Sequence, residues 1–211
     1  MTRSSSRALL ALAAVAAGVP TLFAQQNDLA IQADIEFAQG LARRWQFVDL
    51  AELVLEDLSD GRSLSDEQSE RLGLVRCEIY GTAARRERNP EERNRLYDEA
   101  LTAYQDFIAQ HEYSDFKPKA EGSWVELANA YAGVLELTLE DLVGEEAEAT
   151  RTRIREVLED PLSRTGALIS ALKDIQDRSD AQERDLFALM LDRGRMLSTL
   201  GRSAEDGTFY L

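Results

Sequence analysis

The residue types that most often catalyse reactions or bind metals are scarce in this chain. His111 and Cys77 are its only histidine and its only cysteine, and a zinc site or a Cys–His nucleophile needs more partners than that. His111 follows a predicted helix, where it would favour the helix C-terminus when charged. Cys77 shares a helical stripe with Leu74, Gly81 and Ala84, which predicts a buried apolar role rather than a reactive thiol.

Acidic pairs are the remaining candidates for chemistry. Glu136 and Glu140, like Glu52 and Glu56, lie four residues apart, and paired carboxylates can hold a metal or transfer protons. A di-metal helical bundle would add Glu-x-x-His pairs, which this sequence lacks. Residues 201–207, GRSAEDG, have glycines but not the Lys-Ser/Thr of a phosphate loop. We therefore expect no catalytic site, no metal and no cofactor.

The N-terminus has the three-part layout of a secretory signal peptide. Arg3 and Arg7 precede an apolar run over residues 8–19, and Ala24 offers a small residue for cleavage. This layout predicts a signal peptide over residues 1–24 and export of residues 25–211 to the periplasm or the extracellular space. An uncleaved anchor is the alternative, although the run is shorter than the about 20 apolar residues that span a bilayer.

The charge of the chain excludes one class of partner. The formal net charge is −15, and it becomes −17 when Arg3 and Arg7 are removed with the signal peptide. Such a field repels phosphate backbones, so we expect no nucleic-acid partner. No later segment has 18 consecutive apolar residues, so we expect no membrane span after cleavage.

Apolar residues beyond the signal peptide recur at intervals of three and four, which predicts an all-α fold. Short polar connections between the segments predict antiparallel helical hairpins. The predicted helices cover residues 27–44, 47–59, 66–88, 90–110, 118–143, 146–159, 162–177 and 181–200.

Helix ends are marked by capping residues. Ser65, Asn89 and Ser179 each precede a Glu or Gln by three residues, the spacing of a capping box. Pro90 and Pro118 fit first-turn positions. Left-handed helix ends are predicted at Gly61 and Gly144.

The segment WVELANAY, residues 124–131, places two aromatic rings around a small residue on one helical stripe. Trp124, Leu127, Ala128 and Tyr131 follow the spacing three, one and three. This stripe resembles the first helix of a tetratricopeptide repeat, W-x2-L-G-x2-Y, with Ala128 where the family usually has Gly. The A-x3-F stripe of the family's second helix has counterparts in Ala100 and Tyr104, flanked by Tyr97 and Phe107, and in Ala51 and Leu55.

Weaker matches suggest further units. Tyr80 and Gly81 fit the first-helix stripe, and equivalent positions at Gln39, Gly81, Ala128 and Gly194 are separated by 42, 47 and 66 residues. The family period is 34, so the repeats would be irregular. The resemblance implies an α-solenoid of stacked antiparallel hairpins, about three and a half units over residues 25–211, that continues beyond the chain. A helical bundle without repeats is the alternative.

The resemblance implies a non-catalytic interaction scaffold that binds a protein or peptide, since its matching residues are packing residues. Polar positions on the first helices, such as Arg76, Asn129 and Arg193, would contact the partner. An N-terminal accessory segment of a larger cell-envelope enzyme or assembly machine is the alternative. Phe187 and Leu191 widen the apolar face of the last helix, so self-association through that helix is also predicted.

Overall fold

The computed structural model describes residues 28–204, and within that range every regular element is helical. Helix α1 covers residues 28–40 and continues as a π-helical turn, Leu41–Trp45. The other helices are α2 (Val48–Gly61), α3 (Asp66–Arg86), α4 (Pro90–Gln110), α5 (Lys117–Leu139), α6 (Glu145–Lys173) and α7 (Asp180–Ser203). None of the described helices is both long enough and apolar enough to cross a membrane. The predicted signal peptide lies outside the described residues.

The all-α prediction is confirmed, but one predicted helix break is wrong. The sequence predicts separate helices over 146–159 and 162–177, whereas α6 runs unbroken through Pro161. Pro161 lies within the core, and its carbonyl accepts a hydrogen bond from Thr165 Oγ1 at 2.7 Å. Packing of this buried stretch holds the helix where proline has removed one backbone donor.

Two of the three predicted capping boxes form. Ser65 with Gln68, and Ser179 with Gln182, exchange both hydrogen bonds. Asn89 accepts from the N–H groups of Glu91 and Glu92, but its own N–H donates to Glu87 at 2.7 Å rather than to Glu92.

The proline positions follow the prediction, but the two glycine positions do not. Pro90 and Pro118 lie in first turns. Gly144 has a φ of 63° and a ψ of −134°, which is not the left-handed helical conformation, and it precedes α6 instead of ending α5. Gly61 has no positive φ, because α2 keeps a right-handed conformation through that residue.

The chain divides within α3 into two compact units, Met1–Val75 and Arg76–Leu211. In the first unit, α1 and α2 bury one apolar face each. Ile35 and Ala38 on α1, and Leu55 on α2, are almost wholly buried. An ion pair joins Arg62, after α2, to Asp34 on α1 at 2.8 Å. Ala51 and Leu55, predicted as packing residues, both lie in this core.

In the second unit, neighbouring helices run antiparallel. Tyr97 on α4 stacks on Tyr131 of α5, with ring centroids 4.6 Å apart. Tyr104, two turns after Tyr97 on α4, contacts Ser123, which lies about two turns before Tyr131 on α5. Residues later on α4 therefore contact residues earlier on α5, so the two helices form an antiparallel hairpin.

Helices α5 and α6 are related in the same way. Arg164 of α6 pairs with Glu121 near the start of α5, and Arg153, earlier on α6, meets Tyr131 later on α5. Helix α5 also contacts α7 directly. Each of α4, α6 and α7 therefore packs on α5.

The predicted packing residues of the second unit lie in its core. Trp124 is 7% exposed, whereas Trp45 in the first unit is 65% exposed. A Cβ built at Gly81 would lie 3.5 Å from Leu127 and 3.9 Å from Tyr104. Gly81 therefore lies where α3 approaches both α4 and α5. Tyr80 is only half-buried. The fully buried members are Tyr97, Ala100, Tyr104, Phe107, Leu127, Ala128 and Tyr131.

Candidate functional site

A groove of about 420 Å³, lined mainly by residues with polar side chains, runs between α5 and α7 in the second unit. Both helices contribute a stripe of residues at helical spacing, so that the groove follows their length. Helix α5 contributes Glu126, Asn129, Ala130, Gly133 and Glu136, and α7 contributes Asp192, Arg195, Ser198, Thr199 and Arg202.

Four of the five positions in each stripe share one spacing. Glu126, Asn129, Gly133 and Glu136 are separated by three, four and three residues, and Asp192, Arg195, Thr199 and Arg202 repeat these intervals. The offset is 66 residues, the same as that between Ala128 and Gly194 in the sequence alignment of units. Four positions with the same spacing therefore lie on each side of one groove.

Ion pairs hold the charged side chains along this groove. Arg202 forms a forked pair with Glu136, and its Nη2 lies 2.9 Å from Glu136 Oε2. Hydrogen bonding to this carboxylate raises the pKa of the Arg202 guanidinium above its usual value. Arg195 pairs with Asp192 one turn earlier at 3.2 Å. The groove presents both signs of charge, and its arginines remain more than half exposed.

Gly133 leaves the centre of the groove open. A Cβ built at Gly133 would have no neighbouring atom within 4 Å. Asn129 lies one turn before it, half-buried, with an amide that can both donate and accept. An extended peptide backbone presents the same two functions, so Asn129 and the open space at Gly133 suit a main-chain segment.

The polar face of α5 extends towards α3. Lys119 Nζ lies 2.7 Å from Glu78 Oε1, and Arg85 Nη2 lies 2.9 Å from Glu126 Oε1. Both pairs advance by seven residues on each helix, so α3 and α5 run parallel here. Glu126 thus belongs to both the α3–α5 ion pairs and the α5–α7 groove.

The three predicted partner contacts do not lie together. Only Asn129 lines the α5–α7 groove. Arg193 lies on the other side of α7, beside Gly166 of α6, where it borders a more apolar cavity of about 550 Å³. Arg76 is half-buried near the start of the second unit and has interactions of its own.

The groove residues that the sequence analysis did not select could have been found from the repeat offset. Applying the 66-residue step to Glu126, Asn129 and Glu136 gives Asp192, Arg195 and Arg202. Glu136 and Glu140, the predicted acidic pair, have different surroundings. Glu136 binds Arg202, whereas Glu140 lies exposed at the end of α5.

Cys77 and His111, the only cysteine and the only histidine in the sequence, lie outside this groove. Burial raises the pKa of the Cys77 thiol to about 12, which keeps it protonated at neutral pH. His111 ends α4, and its ring packs on Phe107 with centroids 4.6 Å apart. Within residues 28–204, no group of three or more His, Cys, Asp or Glu side chains is placed to hold a metal.

Comparisons with known proteins add no relative. No protein-family model matches the chain, and neither curated proteins nor solved structures give a match.

Proposed function

We propose that this protein is an exported, non-catalytic scaffold that holds an extended segment of a partner protein in the α5–α7 groove. The observation that carries the proposal is the pair of matching polar stripes, which face each other across an open centre at Gly133. In the tetratricopeptide repeats that the sequence resembles, stacked hairpins leave a face free for a partner. Helices α5 and α7 would be the first helices of successive units.

The groove favours a polar partner segment. Asn129 would bond the peptide backbone, while Arg195 and Arg202 would attract carboxylates and Glu126 a basic side chain. Charges at the rim of an interface chiefly set its specificity and association rate. Binding to this groove should therefore weaken as the salt concentration rises.

Glycine substitutions offer a test that leaves the fold intact. Gly133→Gln fills the centre of the groove, and replacing a helical glycine stabilises a helix by roughly 0.5–1 kcal/mol. Gly122→Gln is the matched control, because Gly122 also lies in α5 with no atom within 4 Å of a Cβ and does not line the groove. The two positions are about 16 Å apart along the helix axis.

The measurement is affinity capture from the native cell envelope with each of the three proteins, followed by mass spectrometry. We expect the unaltered protein and Gly122→Gln to recover the same partner, and Gly133→Gln to lose it. Recovery of that partner by all three proteins would show that the groove is not the binding site.

A further inference from the structure

Helix α7 carries an apolar stripe that no described residue covers. Phe187, Met190 and Leu191 are 70%, 45% and 57% exposed and lie at intervals of three and one. They face away from Met196 and Leu200, which anchor α7 in the core. Contiguous exposed apolar side chains on a soluble protein usually mark an interaction site.

One edge of this stripe carries arginines, although α7 as a whole has four acidic and four basic residues. Arg184 precedes Phe187 by three residues, and Arg195 follows Leu191 by four, so both lie along that edge. Arg195 also pairs with Asp192 at 3.2 Å, which leaves its side chain 61% exposed.

Helix α2 carries the opposite combination. Leu50 and Leu53 are 45% and 59% exposed, with Val54 half-buried beside them. The helix has five acidic residues and no basic one. Asp49, Glu56 and Asp57 are all exposed and border the exposed leucines.

We propose that α7 of one molecule docks on α2 of a second molecule, with the apolar stripes in contact and the arginine edge against the acidic edge. A second copy is the occupant that the charges favour, because α2 offers an apolar stripe rimmed by carboxylates. Pairing α2 with α2 would oppose like charges, and pairing α7 with α7 would offer the arginine edge fewer carboxylates than α2 offers.

This contact uses a different surface on each molecule. Every associated pair therefore keeps one unused α2 stripe and one unused α7 stripe, which allows further copies to add or a ring to close. The stripes are short, so we expect weak association of the class whose interfaces bury less than about 1,200 Å². The association should also weaken at high salt, because the two charged edges are exposed.

Two substitutions separate the two surfaces. Phe187→Asp places a negative charge where α7 would meet acidic α2, and Leu53→Lys places a positive charge where α2 would meet the arginines. Both positions are more than half exposed, so neither change should unfold the chain. Leu137→Asp on α5, 68% exposed in the unaltered protein, is the control for adding a charge at an exposed apolar site.

Sedimentation velocity over a concentration series is the measurement. We expect the unaltered protein and Leu137→Asp to form species larger than a dimer as concentration rises. Each blocking variant alone should lose at least about tenfold in association, while an equimolar mixture of the two should restore association and stop at a heterodimer. Chemical denaturation of each variant shows whether it remains folded.

A monomeric unaltered protein at every concentration would overturn the proposal. So would a Leu53→Lys variant that still dimerises and gains nothing on mixing, since that result indicates α7–α7 pairing. Gly133→Gln should associate like the unaltered protein, because it alters only the groove. The proposal of self-association and the proposal of partner binding in the groove can therefore be contradicted independently.

Discussion

Two alanines with no exposed surface lie in the core of the second unit, one on α4 and one on α5. Ala100 on α4 and Ala128 on α5 are both 0% exposed. The stacked rings of Tyr97 and Tyr131 lie one turn from them, so small and large side chains alternate on the facing helices. A methyl group at each alanine permits this spacing, and a longer side chain would have to displace its neighbours.

Enlarging either alanine should therefore destabilise the fold. We expect Ala100→Leu and Ala128→Leu each to lower the free energy of unfolding by about 1–3 kcal/mol through overpacking. Ala149→Leu on α6 is the control, because Ala149 is exposed and helical. Denaturant titration measures all three, and unchanged midpoints for both buried positions would contradict this account of the packing.

The buried tyrosines should make the protein sensitive to alkali. Burial raises the pKa values of Tyr97, Tyr104 and Tyr131. The stability that this shift contributes is complete below the unfolded-state pKa of about 10 and is lost as pH rises through the raised folded-state values.

An ultraviolet titration of the phenolates tests the prediction. We expect Tyr97, Tyr104 and Tyr131 to ionise only above the ordinary tyrosine pKa of about 10, together with the loss of helical circular dichroism. Ionisation of all tyrosines in one step near pH 10, with the helices intact, would show that the three rings are accessible.

At the scale of elements, α5 is the helix on which the second unit is assembled, and a buried carboxylate joins it to α6. Glu121 is 3% exposed and is paired with Arg164, whose side chain remains 41% exposed. A buried charge that loses its partner is costly, whereas an exposed pair contributes little.

Removing Arg164 should thus destabilise the α5–α6 hairpin. We expect Arg164→Met to lower the free energy of unfolding by roughly 1–3 kcal/mol, because the Glu121 carboxylate would remain buried without the guanidinium that pairs with it. Arg155→Met removes an exposed pair with Glu148 and should cost no more than about 1 kcal/mol.

The double variant Glu121→Leu with Arg164→Met identifies the cause. Because it removes both charges, it should recover much of the lost stability in the same denaturation experiment. An equal loss in the single and double variants would instead assign the effect to packing of the Arg164 chain.

At the scale of the molecule, the export proposal rests on the predicted signal peptide. We expect protein recovered from the native host to begin at or near Gln25, because Ala24 follows a basic head and a short apolar run. N-terminal sequencing of fractionated cells decides this. An N-terminus at Met1 in the cytoplasmic fraction would end the export proposal, while leaving the groove prediction intact.

The sequence by itself determined the helices and most of their ends. These features depend on local spacing: the interval of three and four sets a helical face, and Ser65 or Ser179 can cap only the helix that follows it. Trp124 is buried because its own stripe is apolar on both sides. The sequence also contains the irregular step of 66 residues, but it does not show that polar positions related by this step line one groove.

Only the tertiary structure decided which polar residues share a groove and where α6 ends. Local spacing marks Pro161 as a helix break, but core packing around it keeps α6 continuous. Asn129 and Arg193 are equally polar in sequence, yet the way α7 is rotated against α5 and α6 puts Asn129 in the groove and Arg193 against α6. That rotation is set by contacts between helices distant in sequence, which periodicity along one helix does not contain.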